Sequence, residues 1–378
     1  MRMMVIPVIL LLMLQGAQAQ THTETDSLPK GWWHFPKTPV RFKVGGYVKA
    51  DVIHDFKPID SPDFFDVTKI PTDGSTGQTT HFNLKETRLL MDVITPSKIG
   101  NVRAYFEGDF YGSGGSFRIR HAFVDIADKW LIGQYWTNFM DEDIIPNTLD
   151  FEKPGAYVFA RHGMVRYKAK LSSKAYLAFS IEEPSANAVA PTSPGKYQSP
   201  LPDFTARYRY FGKWGHVQLT GFLALLQYQY ADETKDNITQ YGYNLSGRFN
   251  FAKRDYFMYQ LVGGAGASRF RGGLSAAPDA NQNIEALNEL GYTVGLCHYW
   301  TPSLSTLVVY NGGDRDNTAG QANNSLKKVN YVAANLLWQL TPSTMAGVEY
   351  LWGSRIDKDE AKGDASRIQF SVKQSFNL

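Results

Sequence analysis

The residues with most to offer chemically are arginines spaced two apart. Arg118 and Arg120 form one such pair and Arg207 and Arg209 another, while Arg88, Arg103 and Arg166 stand singly among alternating polar and apolar residues. Two-residue spacing puts both side chains on one face of a strand, where their guanidiniums would stack as a ladder. Such a ladder attracts anions and holds carboxylates or phosphates through forked donors. The same arginines could instead pair with Glu86, Glu107 and Asp109 and simply hold a wall together, and the residues leave both readings open. A second group, Asp141, Glu142 and Asp143, is followed by Ile144, Ile145, Pro146, Leu149 and Phe151. A loop this apolar needs a surface to pack on, so residues 140–155 are expected to fold inward and set acids opposite an arginine wall. Hydrolytic chemistry finds no support: His54, His81, His121 and His298 are scattered with no Ser or Asp at a recognisable spacing. Cys297 is the lone cysteine, which leaves no intrachain disulfide and no zinc cluster to build. No metal and no cofactor is expected, and a dispersed net charge of +3 gives no nucleic-acid partner.

The elements that would carry these side chains are strands. The last twelve residues alternate, with Ile368, Phe370, Val372, Phe376 and Leu378 on one parity and Arg367, Gln369, Ser371, Lys373 and Ser375 on the other. The same pattern runs through Val40 to Val52 and Val102 to Phe110. Charged residues at every second position need water on one side, and the apolar parity needs lipid on the other. A soluble barrel would have to reverse this and bury the apolar parity. No stretch reaches the ~20 consecutive apolar residues of a membrane helix. Met1 to Ala19 carries a charged start, a short apolar run and a small-x-small ending, the order of a cleaved secretory signal peptide. Residues 20–39 then form a periplasmic segment, and 40–378 the barrel.

Punctuation gives the strand number. Thr-Pro-Ser at 95–97, 301–303 and 341–343, with polar turns near Asp128, Ser172, Lys213 and Lys253, makes seven tight turns. Between them lie eight longer stretches rich in Gly, Pro, Asn and Asp, near 57–79, 111–115, 139–155, 184–201, 230–237, 267–287, 311–326 and 354–365. The expected fold is therefore all-β: a transmembrane antiparallel barrel of about 16 strands with short periplasmic turns and longer extracellular loops. At eight strands side chains fill the interior, whereas sixteen leave an aqueous channel. Trp130, Tyr135, Trp136, Trp300, Trp338 and Trp352 are expected in the aromatic girdles at the lipid interfaces.

Several ordered runs then look familiar. Gly46-Tyr47-Val48-Lys49-Ala50-Asp51, Glu86-Thr87-Arg88-Leu89, Glu107-Gly108-Asp109-Phe110-Tyr111-Gly112, Arg118-Ile119-Arg120-His121-Ala122-Phe123 and Gly133-Gln134-Tyr135-Trp136-Thr137-Asn138-Phe139 resemble the DcaP-like family of outer-membrane porins. The match is dense in the first third of the chain and rests mainly on strand spacing beyond it. The resemblance implies a homotrimer of 16-stranded barrels in the Gram-negative outer membrane, surrounded by its lipid, each barrel with its own pore. It further implies passive diffusion of small polar or anionic solutes such as dicarboxylates, with Arg88, Arg118 and Arg120 matching the family's recurring arginines. A structural or adhesive barrel without significant conductance is the competing function.

Overall fold

The computed structural model describes residues 31–153 and 155–377, so the expected signal peptide lies outside the described residues. Sixteen antiparallel strands follow one another around a closed barrel. They are β1 (Arg41–Asp55), β2 (Thr79–Asn83 with Arg88–Ser97), β3 (Gly100–Asp109) and β4 (Arg118–Ile126). Next come β5 (Trp130–Trp136), β6 (Arg161–Lys170), β7 (Ala175–Glu182) and β8 (Gly195–Gln198 with Asp203–Gly212). Then β9 (Gly215–Tyr230), β10 (Lys235–Asn250), β11 (Tyr256–Ala265) and β12 (Asn288–Tyr299). Last are β13 (Leu304–Arg315), β14 (Leu326–Gln339), β15 (Thr344–Asp357) and β16 (Lys362–Asn377). The ring closes where β16 pairs with β1, from Gly45 opposite Asn377 to Asp55 opposite Arg367. Closure leaves no sheet edge, which is what lets strands sit in hydrocarbon.

Parity does what the alternation requires. Val48, Val52, Leu89, Met91, Phe179, Ile181, Leu219, Leu223, Phe370 and Val372 are exposed on the outer face, while Lys49, Asp51, Arg207, Arg209, Gln369 and Ser371 point inward. Trp130, Trp300 and Trp338 are exposed as girdle residues would be, but Tyr135 and Trp136 turn inward and pack with the lumenal cluster. The seven tight turns stand as read. Two of the eight longer connections do not: residues 231–234 and 358–361 are four-residue turns, because β9, β10, β15 and β16 run 14–16 residues and absorb the polar flanks.

The lumen is far from empty. Three connections fold into it: β1–β2 supplies Phe65, Val67 and Ile70, β5–β6 supplies Phe139, Met140, Ile144 and Tyr157, and β11–β12 supplies Phe270. They pack on inward-facing Phe222, Met258, Tyr331 and Leu351 and make a dry core inside the barrel on the β9–β15 side. Backbone buried this way must find partners, and wall side chains provide them. Glu349 accepts from the Leu149 and Asp150 amides at 2.9 Å each, Asn244 donates to the Phe139 carbonyl at 2.7 Å, and Gln260 and Asn311 accept from the Val158 and Ala156 amides.

Candidate permeation constriction

Folding three loops against one side leaves open space along the other. A cavity of about 420 Å³ lies between residues 145–153 of the β5–β6 loop and the inner face of β1 to β5, closed laterally by Met345 and Lys373. Two local distortions shape its wall. At Gly46, with φ of 147°, β1 passes so close to the Arg88 carbonyl that a Cβ would sit 2.0 Å from the oxygen, so only glycine fits. In β4 a bulge opposite Glu107 and Gly108 lets Arg118, Arg120 and His121 all face inward, and the Gln134 side chain donates to the Ile119 and Arg120 carbonyls beside it.

Six basic side chains line the cavity, Lys49, Arg88, Arg103, Arg120, Lys153 and Lys373, against two acidic ones, Glu86 and Glu107. The acids are fully engaged. Glu86 holds Lys49 at 2.5 Å and accepts from the Tyr47 hydroxyl at 3.0 Å, and Glu107 holds Arg120 at 2.8 Å and Arg88 at 3.4 Å. Arg103 forks onto Asp92 with two bonds of 2.8 Å. Lys153 donates only to uncharged oxygens, Thr148 Oγ1 and the Asp150 carbonyl, and Lys373 lies over the Tyr47 ring. These two lysines have no ion-pair partner among the described residues. Their positive potential, with that of Arg88, projects into the cavity.

The arginine pairs follow the second of the two readings. Arg118 forks onto Asp109 at 2.9 and 3.0 Å, and Arg120 bridges Asp109 and Glu107. Arg207 and Arg209 form no ladder along the passage. Arg207 donates to the Thr137, Asn138 and Met140 carbonyls, and Arg209 to Asp141 and Asp143, so both anchor the β5–β6 loop. Arg166 is tucked against the Tyr135 ring, outside the cavity lining. The loop does fold inward, and of its acids Glu142 meets the wall at Tyr135 of β5, whereas Asp141 and Asp143 turn to β8. Asp141 is buried against β8, β9 and β10 by Arg209, by His216 at 2.8 Å and by Ser246 at 2.9 Å. Burial alone would raise its carboxyl, but the His216 hydrogen bond and the Arg209 charge outweigh that and hold it below the ordinary value. Glu142 is half-buried, and Asp143 is exposed beside Arg209. The loop residues that line the cavity include Ile145, Pro146, Asn147, Thr148 and Lys153, and none of the three acids. Sequence reasoning passed over Lys153 and Lys373 as site residues. Lys373 could have been found from its polar parity in β16, whereas Lys153 needed the fold of the loop.

A family model described as DcaP outer membrane protein matches residues 35–376. The chain belongs to the DcaP family. The crystal structure of the outer membrane channel DcaP of Acinetobacter baumannii superposes with a TM-score of 0.80 at 25% identity, covering 89% of this chain and 97% of that one. An anion-selective porin from Comamonas acidovorans (TM-score 0.58, 10% identity, 89% and 100% covered) shares the fold, as does the trimer form of OmpT from Vibrio cholerae (0.57, 8%, 89% and 99%). No curated protein matches the chain in sequence. The chain is thus an outer-membrane channel protein and not an enzyme.

Within this DcaP-family barrel, Arg120 carries the most structural weight in the basic wall. Its side chain is 3% exposed and neutralises two carboxylates, so Arg120→Ala leaves Glu107 and Asp109 short of a partner. Breaking a buried pair from one side costs about 3–5 kcal/mol. Arg118, 34% exposed, has one acidic partner, and Arg118→Ala is expected to cost under about 1 kcal/mol. Heat-modifiability gels should show a clearly lower unfolding temperature for the first variant and little change for the second.

Proposed function

We propose that this protein conducts small anions by passive diffusion through the cavity beside β1–β5, with short dicarboxylates such as succinate as favoured solutes. One observation carries the reading. The acids lining the cavity are consumed by ion pairs, while among the described residues Lys153 and Lys373 stay unpaired and Arg88 has only a long contact at 3.4 Å. Several cations lining one cavity suit a solute with a carboxylate at each end. The family resemblance supports the same solute class. It also supports a homotrimer with one passage per barrel, as does the trimer form in which OmpT was solved. Residues 1–19 act as the secretion signal and 20–39 as a periplasmic lead-in on this reading.

Liposome swelling tests it. Proteoliposomes diluted into isosmotic succinate should swell several times faster than in putrescine, a dication of equal chain length. Equal rates, or a faster dication, would contradict the anion preference.

A further inference from the structure

The charge on the tight-turn rim is distributed unevenly. The five turns joining β2–β3, β4–β5, β6–β7, β8–β9 and β10–β11 carry Lys98, Lys129, Lys174, Lys213 and Lys253 respectively, with Lys170 and Arg254 beside them. All are exposed. None of the lysines has an ion-pair partner among the described residues, and Arg254 donates only to the Pro302 carbonyl. The nearby acids are occupied: Asp128 by Lys168, Asp255 by His298 and the Tyr299 amide. The two remaining turns, 300–303 and 340–343, contain Thr-Pro-Ser and no charge. The charged turns therefore form an arc under ten consecutive strands.

Each arc turn also places a large apolar side chain next to its lysine. Ile99 follows Lys98, Trp130 follows Lys129, Leu171 follows Lys170, Trp214 follows Lys213, and Phe251 precedes Lys253 by two residues; all five are exposed, Ile99 at 68%. An indole or aliphatic group at the foot of the lipid-facing belt sits among acyl chains and glycerol, which puts the adjacent ammonium at the depth of a phosphate. A water-soluble polyanion would match the charge and leave the apolar neighbours without a role.

We propose that this arc is a binding surface for anionic phospholipid: it gathers diacyl lipids with a net negative phosphate head group, such as phosphatidylglycerol, in the periplasmic leaflet beneath β2 to β11. The lysines supply the selectivity and the apolar neighbours hold the lipid at the protein surface. The surface is separate from the permeation path and stands whether or not the channel prefers anions.

Quenching of tryptophan fluorescence by brominated lipids measures this on the full barrel, since Trp130 and Trp214 lie in the arc. In mixed bilayers the association of brominated phosphatidylglycerol relative to brominated phosphatidylcholine should exceed unity by about threefold for the native protein, and fall towards unity in about 0.5 M salt. Lys98→Gln, Lys129→Gln, Lys174→Gln, Lys213→Gln and Lys253→Gln combined should bring the ratio close to unity at low salt. Lys69→Gln, Lys196→Gln, Lys235→Gln and Lys362→Gln, on the opposite rim, should leave it unchanged. If the five-site variant inserts poorly, Lys129→Gln with Lys213→Gln should lower the ratio by itself. A native ratio near unity, or one that survives loss of the arc lysines, overturns the proposal. So does displacement of the lipid by soluble inorganic polyphosphate at equal charge concentration.

Discussion

Replacing Asp141 by asparagine is expected to loosen the β5–β6 loop from the barrel wall and to give a larger, noisier single-channel current. Asp141 is fully buried and answers three donors on three strands: Arg209 on β8, His216 on β9 and Ser246 on β10. Neutralising it leaves Arg209 with only the exposed Asp143 as a carboxylate partner. Losing one side of a buried pair costs about 3 kcal/mol or more, which shifts the balance between docked and undocked loop about a hundredfold. The second clamp, Arg367 on Asp55 and Asp150, remains, so the variant should fold and insert. Asp143→Asn is the matched control. Its carboxylate is 59% exposed, and its conductance should stay close to the native value.

Removing Arg88, Lys153 and Lys373 together as glutamines should take away most of the anion preference without moving the loop. Among the described residues Lys153 and Lys373 pair with no carboxylate, and Glu107, which loses its 3.4 Å contact with Arg88, keeps Arg120, so no acid is left without a partner. A unit charge about 8 Å from a permeating ion is worth ~0.5 kcal/mol in bulk water and ~2 kcal/mol at an effective dielectric of about 20. Even the lower figure, applied three times and with opposite sign to the cation, changes the anion-to-cation permeability ratio about a hundredfold. The zero-current potential in a potassium chloride gradient reads that ratio directly. A potential equal to the native one would show that the three side chains do not face the permeating ion.

How much of this was legible in the sequence depends on what each residue answers to. Strands in a barrel answer to lipid on one side and water on the other, so Val48, Ala50 and Val52 against Lys49 and Asp51 already state their faces, and counting turns gives the strand number. Beyond the bilayer that contrast vanishes. Tyr230 to Asn237 therefore reads as loop, although β9 and β10 continue into it up to a four-residue turn. The β4 bulge is equally hidden, since one extra residue at Arg120 and His121 only shows once β3 is alongside. The inward fold of residues 140–155 was visible because Ile144, Leu149 and Phe151 are too apolar for an outer loop. The same argument applies to Phe65, Val67 and Ile70 and to Phe270, where surrounding Pro, Asp and Gly residues masked it.

The roles of the charges were the least legible part. Arg207 and Arg209 have the spacing of a ladder, and nothing local tells that Met140 and Asp141, some 67 residues earlier, arrive to claim them. Pairing across the barrel is set by the inward loop, and until it is placed every lumenal arginine looks equally free. Lys373 gains its role by the same logic, since it makes no ion pair among the described residues.

Where the open path runs is the claim on which the rest depends, and thiol accessibility tests it most directly. In a chain with Cys297→Ser, Thr148→Cys faces the cavity, whereas Ala224→Cys is buried on β9 in the dry core. A charged methanethiosulfonate should cut most of the current through the first channel and leave the second unchanged. Current that survives modification at position 148, or is blocked from position 224, would place the path through the β9–β15 side and contradict the account.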